Sequence, residues 1–272
     1  MTAVSGLIRV MEKAARKAGG RLRRDFGEVE HLQVSRKGPA DFVSKADQVS
    51  ERTLYDELLA ARPGWGFVLE EGGVIPGEEG QPRWIIDPLD GTSNFLHGIP
   101  HFAISIAAQE PKLDGSGWGD VIAGVVYQPI TDETFWAEKT RGAWLQDKRL
   151  RVSARRGLGE ALIATGIPYG GRGDFAEWAR IFGAIGPQVA GIRRFGAASL
   201  DLAWVAAGRF DGFWETDLAD WDTAAGCLIV REAGGFVSDF RGRSMPIHAK
   251  QVLAANDALH SRLHKILVGA LK

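Results

Sequence analysis

The chain has 272 residues, 45% of them apolar, which is enough for a sizeable core in one large domain or two lobes sharing an interface and excludes extended disorder. Lys plus Arg (33) nearly cancels Asp plus Glu (34), so no global field attracts nucleic acid or anionic lipid, and a small molecule is the expected partner. Cys227 is the only cysteine, no stretch has the length and purity of a membrane span, and the first residues meet charge too early for a signal peptide, so the expected setting is cytoplasmic.

Val4, Leu7, Ile8, Met11, Ala14, Ala15, Ala18 and Leu22 recur at helical spacing and predict an amphipathic helix over residues 3–25. A second helix is predicted over 42–61, with Ala46, Val49, Leu54 and Leu58 inward and Arg62-Pro63-Gly64 as its stop. Strands follow at 66–70, 84–87, 101–108, 121–128 and 134–138, then a hairpin around Gln146-Asp147-Lys148. Beyond residue 150 the order becomes alternating. Strands are predicted at 162–165, 210–214, 235–239 and 252–255, and helices at 175–185, 197–207 and 221–232, with a further helix closing the chain. Residues 1–150 therefore read as an N-terminal α+β lobe carrying most candidate metal ligands. Residues 151–272 read as a C-terminal α/β lobe that completes the site, and with no Gly/Ser linker or repeat between them the two form one unit.

Two apolar runs end in acids: Gly66 to Leu69 stops at Glu70-Glu71, and Trp84 to Ile86 stops at Asp87, with Pro88, Asp90, Gly91 and Thr92 just beyond. Ionised carboxylates at the ends of buried strands are costly unless something positive lies between them. Asp222 lies in the first turn of a predicted helix that Asp217 or Asp220 can cap, where the helix dipole favours a carboxylate. Any one of these acids alone reads as a cap or a turn residue. Together, Glu70, Asp87, Asp90 and Asp222 form a hard-oxygen set without Cys or His, which suits Mg²⁺ or Mn²⁺ rather than zinc. Two such ions about 3.5–4 Å apart, bridged by a carboxylate, are the arrangement used for in-line attack at phosphorus. Gly91 permits close backbone approach, and if Asp90 caps a short helix, the amides of Gly91, Thr92 and Ser93 converge on an anion.

The stretches DPLDGTSNF (87–95) and WDTAAG (221–226), with KGPADFVSKAD (37–47) and LEEGG (69–73) upstream, resemble in order and interval the landmarks of the inositol monophosphatase family. The resemblance covers nearly the whole chain. It implies a layered αβαβα sandwich, Mg²⁺-dependent hydrolysis of small phosphate monoesters such as myo-inositol 1-phosphate, lithium sensitivity, and a homodimer. Carried over by position, Glu70, Asp87 and the Leu89 carbonyl hold one metal, while Asp87, Asp90 and Asp222 hold a second; a third ion near Glu70 is conceivable. Thr92 and Glu70 orient and deprotonate the attacking water, with Asp47 behind Thr92. Gly91 and Thr92 amides bind phosphate, Glu215 contacts substrate hydroxyls, and Ala197 and Ala198 line the polyol pocket. Leu69 departs from the family, which often has glycine before the two acids. Histidinol phosphate, fructose 1,6-bisphosphate or a 3′-phosphoadenosine nucleotide are alternative substrates. Because bacterial members of the family include proteins with a second role at the transcription machinery, an RNA polymerase-type partner is a further alternative.

Other features carry less. His260 and His264 are four apart on the last helix, but Leu259, Leu263 and Leu267 mark its buried face, and no acid of a zinc-protease motif lies between the histidines. Arg172-Gly173-Asp174 reads as a loop whose Asp174 caps a helix, and Cys227 among Ala225, Leu228 and Ile229 reads as buried. The basic residues Lys13, Arg16, Lys17, Arg21, Arg23 and Arg24 read as a solvated helix face, with contact to a protein or RNA as the competing reading. Arg193-Arg194 is read as a surface pair, a dimer contact or a contact to an acidic substrate, and the nine tryptophans as packing rather than a stacking platform.

Overall fold

The computed structural model describes residues 4–27, 34–38, 41–168, 173–244 and 248–272. Helix α1 (Gly6–Phe26) begins at Ser5, whose hydroxyl accepts from the Ile8 amide at 3.2 Å, and buries the apolar stripe Ile8, Met11, Ala14, Ala15, Ala18 and Leu22. Strands β1 (Val34–Gly38) and β2 (Asp41–Ser44) pair as a small antiparallel ribbon. Helix α2 (Lys45–Ala61) therefore starts later than the residue-42 boundary expected from periodicity, because Asp41–Ser44 goes to the ribbon instead.

Next come β3 (Gly66–Leu69), β4 (Gly73–Ile75), β5 (Arg83–Asp90), the one-turn helix α3 (Thr92–Leu96), β6 (Ala103–Pro111), β7 (Trp118–Gln128), β8 (Glu133–Glu138), β9 (Gly142–Leu145) and β10 (Lys148–Arg149). The eight strands β3–β10 form one sheet in the order β10-β9-β8-β7-β6-β5-β3-β4, antiparallel except for β3 against β5. Leu145 faces Lys148 across the expected hairpin, with Gln146 in the left-handed region at φ 55°.

The remaining elements are β11 (Leu162–Thr165), α4 (Phe175–Ile185), β12 (Gly191–Arg193), α5 (Ala198–Ala206), β13 (Gly212–Thr216), α6 (Asp220–Glu232), β14 (Phe236–Ser238), β15 (Gln251–Ala255) and α7 (Asp257–Ala270). Asp174 caps α4, accepting from the Ala176 and Glu177 amides, while Arg172 lies outside the described residues. A second sheet runs β12-β11-β13-β15-β14, parallel through β13 and antiparallel beyond it.

Helices α1 and α2 cover one face of the large sheet, α5 and α6 lie between the sheets, and α4 and α7 cover the outer face of the small sheet. The order of layers is αβαβα. Each interlayer space is a core: Met11, Leu54 and Trp84 under the first helix pair, Leu200, Phe213 and Ile229 between the sheets, and Ile181, Trp214 and Leu263 under the last pair. The middle layer is thin because its contacts are small. A Cβ on Gly124 of β7 would lie 2.9 Å from the Ala225 Cα, and one on Gly226 would lie 2.7 Å from the Leu202 Cβ, so α6 rests directly on the sheet and on α5.

Candidate active site

Strand β5 is buried along its whole length and does not stop at Asp87 as its sequence suggested; it runs on to Asp90. Asp87 stands opposite Ser105 and Asp90 opposite Ala103, so three steps on β5 match two on β6. Pro88 supplies no N–H for a regular ladder at this irregularity, and the slip re-aims the two acids. The Ser50 hydroxyl fixes the kink by donating to the Pro88 carbonyl at 2.8 Å, and the Leu89 amide donates to Asp87 Oδ1 at 3.0 Å.

The chain then turns through Gly91, at φ 96°, where a Cβ would also lie 3.0 Å from the His101 carbonyl oxygen, so only glycine fits. Gly91, not Asp90, is the residue that precedes α3. The Asp90 carboxylate is turned instead toward α5, where Ala198 N–H donates to Oδ1 at 3.2 Å and Ser199 donates to Oδ2 from both N–H (2.8 Å) and Oγ–H (2.5 Å). The Thr92 hydroxyl lies 3.2 Å from Asp47 Oδ2 and 3.0 Å from the Leu89 carbonyl oxygen, and its single hydrogen serves one of them at a time.

Helix α6 delivers the next acid. Neither Asp217 nor Asp220 caps it: Asp217 sits in the left-handed region at φ 61°, and Asp220 is the first helical residue and pairs with His248 at 2.7 Å. The N-cap is Ala219, which has no side-chain acceptor. Asp222 compensates by reaching back to accept from the Ala219 amide at 2.7 Å. Glu215, near the end of β13, packs its carboxylate over Gly166, and a Cβ at Gly166 would run into it.

These residues share one pocket. Its walls include Glu70, Asp87, Leu89, Asp90, Gly91 and Thr92 from the first half of the chain, and Ala198, Glu215 and Asp222 from the second. Asp47 stands behind, joined through Thr92. Burial is the main force pushing the Glu70 carboxyl well above the ordinary range, reinforced by the charges of Asp47, Asp222 and Glu71. Asp87 is pushed up in the same way by burial and then by Glu70, Asp90 and Asp222. Asp90 is raised by burial and partly relieved by its bonds to Ser199 and Ala198, and Glu215 is pushed up to about 8, again chiefly by burial.

A pocket that crowds like charges this way is suited to cations, and its hard-oxygen donors suit divalent ones. Among the described residues, Asp47, Glu70 and Glu71 bring one carboxylate oxygen each to within 4.8 Å of one another, close enough to hold a metal ion. Glu71 thus joins Glu70 and Asp47 in this group, although the expected ligand set did not include it.

The same landmarks are found in known proteins. The sequence profile of the inositol monophosphatase family matches residues 4–272. The chain belongs to the inositol monophosphatase family. It is 52% identical over 263 residues to an inositol-1-monophosphatase of Rhizobium meliloti, covering 97% of this chain and 96% of that protein. It is 39% identical to the Nus factor SuhB of Escherichia coli K12, with 92% and 91% covered. The extragenic suppressor protein suhB of Bartonella henselae superposes with a TM-score of 0.91 at 50% identity, over 97% of this chain and 98% of that one. As a member of this family the chain is a phosphatase, and the layered α+β sandwich is the family's architecture.

Some residues in and behind the pocket wall escaped the sequence reading. Ser199 gave no signal beyond its place in a first helical turn, because its partner Asp90 is 109 residues away. Asp201 is fully buried and pushed well above the ordinary range by burial and by Glu215 and Asp90. Arg194, for which contact to an acidic substrate was one of the three expected readings, lines the pocket together with Ile167 and Pro168. His260 and His264 hold no acid between them, and His260 Nε2 is 3.0 Å from Ser238 Oγ. Cys227 is buried, and burial pushes its thiol up to about 12, which leaves it inert. Among the described residues no helix is long and apolar enough to cross a membrane.

Proposed function

We propose that this phosphatase hydrolyses a small polyol phosphate, myo-inositol 1-phosphate in preference to others, with two or three Mg²⁺ ions held by Glu70, Asp87, the Leu89 carbonyl, Asp90 and Asp222. Mn²⁺ is expected to substitute. The observation that carries the reading is the meeting of these acids with the Gly91-Thr92 turn in one pocket. When bound, the cations supply Lewis-acid polarisation of the phosphoryl oxygens and neutralise charge that would otherwise repel the substrate.

The protein's own groups do the rest. Gly91 and Thr92 amides hold phosphate oxygens, and the left-handed Gly91 lets the backbone approach them. With its hydrogen donated to Asp47, the Thr92 oxygen can accept a hydrogen bond from the attacking water and so orient it, while Glu70 takes up the water's proton as base. Glu215 contacts the substrate hydroxyls. Its carboxyl is pushed up to about 8 in the metal-free pocket, chiefly by burial and then by the charges of Asp222 and Asp90. Ala198 contributes pocket wall. Its amide is engaged at 3.2 Å by Asp90, which makes it a weaker donor to substrate than the family pattern implies. Among the described residues lining the pocket, no side chain is an activated Ser, Cys or His nucleophile, so direct attack by water is the proposed route. The stretches 1–150 and 151–272 act as two lobes sharing this pocket.

A homodimer is supported by the exposed aromatic face of α4, where Phe175 and Phe182 flank Trp178. The buried, inert thiol suits a cytoplasmic setting. A substrate panel tests the proposal directly: phosphate release with and without Mg²⁺, challenged with lithium, should favour myo-inositol 1-phosphate over histidinol phosphate, fructose 1,6-bisphosphate and a 3′-phosphoadenosine nucleotide. Preference for any of these, or release independent of metal, refutes it.

The relatives named Nus factor SuhB favour a second reading, a partner at the transcription machinery in addition to catalysis. On α1, Arg16 is taken up by Asp132, Lys13 and Lys17 by Glu57, and Arg21 by Asp25, which leaves Arg23 and Arg24 of this basic set as exposed cations near the helix end. Charge reversal at Arg23 and Arg24 should abolish co-purification with RNA polymerase if this reading holds.

A further inference from the structure

We propose that Ser199 is a positioning residue for the metal cradle, holding Asp90 in ligating orientation from the far side of the pocket wall. The inference rests on the reading of Asp90 as a metal ligand. Asp90 ends β5 in the large sheet, whereas Ser199 lies in the first turn of α5, in the layer between the sheets. Helix α5 has no side-chain cap of its own at Ala197. Its orphan first-turn donors therefore need an acceptor, and the Asp90 carboxylate supplies it from another layer of the molecule.

The contact is a three-point clamp. Ala198 N–H donates to one carboxylate oxygen, while Ser199 N–H (2.8 Å) and Ser199 Oγ–H (2.5 Å) both donate to the other. The two backbone amides take one carboxylate oxygen each and set the plane of the group. The hydroxyl adds a second donor to Oδ2 and stiffens that orientation. Each carboxylate oxygen has more than one acceptor direction, so the clamp leaves capacity for a cation on the pocket side, which Asp90 lines.

Ser199 itself is fully buried and does not line the pocket, so its effect reaches the metal only through Asp90. Partners behind metal ligands typically change metal affinity about 10- to 100-fold when removed. The loss expected here falls on the ion that Asp90 holds. The ion held by Glu70 and Asp87 without Asp90 should bind as before.

Mn²⁺ binding to the full-length chain, followed by electron paramagnetic resonance of the free ion and by calorimetry, tests this without reference to turnover. Ser199→Ala and the similarly shaped, slightly larger Ser199→Cys, whose thiol is a poor donor, should each weaken one class of Mn²⁺ site by about 10-fold or more. Ser199→Thr, which keeps the hydroxyl, should restore it. Asp90→Asn, measured alongside, should weaken the same class. If Asp90→Asn weakens Mn²⁺ binding but Ser199→Ala and Ser199→Cys do not, the positioning role is overturned and the ligand reading stands. A lowered melting temperature of the metal-free chain with an unchanged isotherm likewise overturns the positioning role, leaving Ser199 as a helix-end contact only. An unchanged isotherm for Asp90→Asn overturns the ligand reading itself.

Discussion

Acid should loosen this protein through His101, and His101→Phe should remove that sensitivity. His101 is 9% exposed, its ring tilted against Phe195 at 4.8 Å and edge-on to Trp204 at 5.3 Å, with Nε2 buried and, among the described residues, without a hydrogen-bond partner. Burial lowers its folded-state value from 6.5 to about 4. Below pH 6.5 the unfolded chain takes up a proton that the folded chain refuses, so stability is lost as pH falls from 6.5 to about 4 and changes no further below that. At 1.36 kcal/mol per pH unit, the loss between pH 6.5 and 5 is about 2 kcal/mol. Phenylalanine suits an aromatic cluster and cannot take up a proton. Urea unfolding of both proteins at pH 7.5, 6.5 and 5 measures the effect, and the quantity that matters is the change in their stability difference with pH. The difference should shift in favour of His101→Phe by about 2 kcal/mol at pH 5 relative to pH 7.5. Parallel stability curves would refute the assignment of a buried, neutral imidazole.

Asp90→Asn should lower phosphate release by at least about 100-fold, the upper end of what partners behind a metal ligand contribute, while circular dichroism shows an intact fold. Gly166→Ala should displace the Glu215 carboxylate and raise KM for a polyol phosphate more than it lowers kcat, because the groups around Gly91 and Glu70 are untouched. Gly124→Val should destabilise the chain by about 1–3 kcal/mol in urea titration, since even a Cβ there meets Ala225 at 2.9 Å. Ser5→Ala should cost about 1 kcal/mol through the lost cap on α1 and leave activity unchanged.

Much of this architecture was legible in local pattern. The stripe from Ile8 to Leu22 specified α1, Asp174 announced the start of α4, and the acids that end two apolar runs pointed to a site for divalent cations. Short elements were not legible. β12 has three residues and β4 has two exposed ones, too little for periodicity, and the 41–44 segment joined a ribbon although it leads straight into a helix. In the site, residue types were readable but their satisfaction was not. Asp90 looks like a helix cap to its neighbours in sequence, yet it serves a helix more than a hundred residues later. Asp222 seemed to follow a capping acid, yet it closes the helix end itself, because Ala219 has nothing to offer. Such pairings are decided by which orphan donors the packed layers bring face to face, and no spacing rule encodes that.

Helix α6 touches the large sheet through Gly124 and Ala225, touches α5 through Gly226 and Leu202, and carries Asp222 at its leading end. With no slack on either side, the helix cannot slide to accommodate a larger neighbour without dragging that acid along. Thermal inactivation should therefore coincide with cooperative melting instead of preceding it. Variants selected for altered chemistry should accumulate around the pocket mouth and spare the glycines and alanines at the molecule's centre.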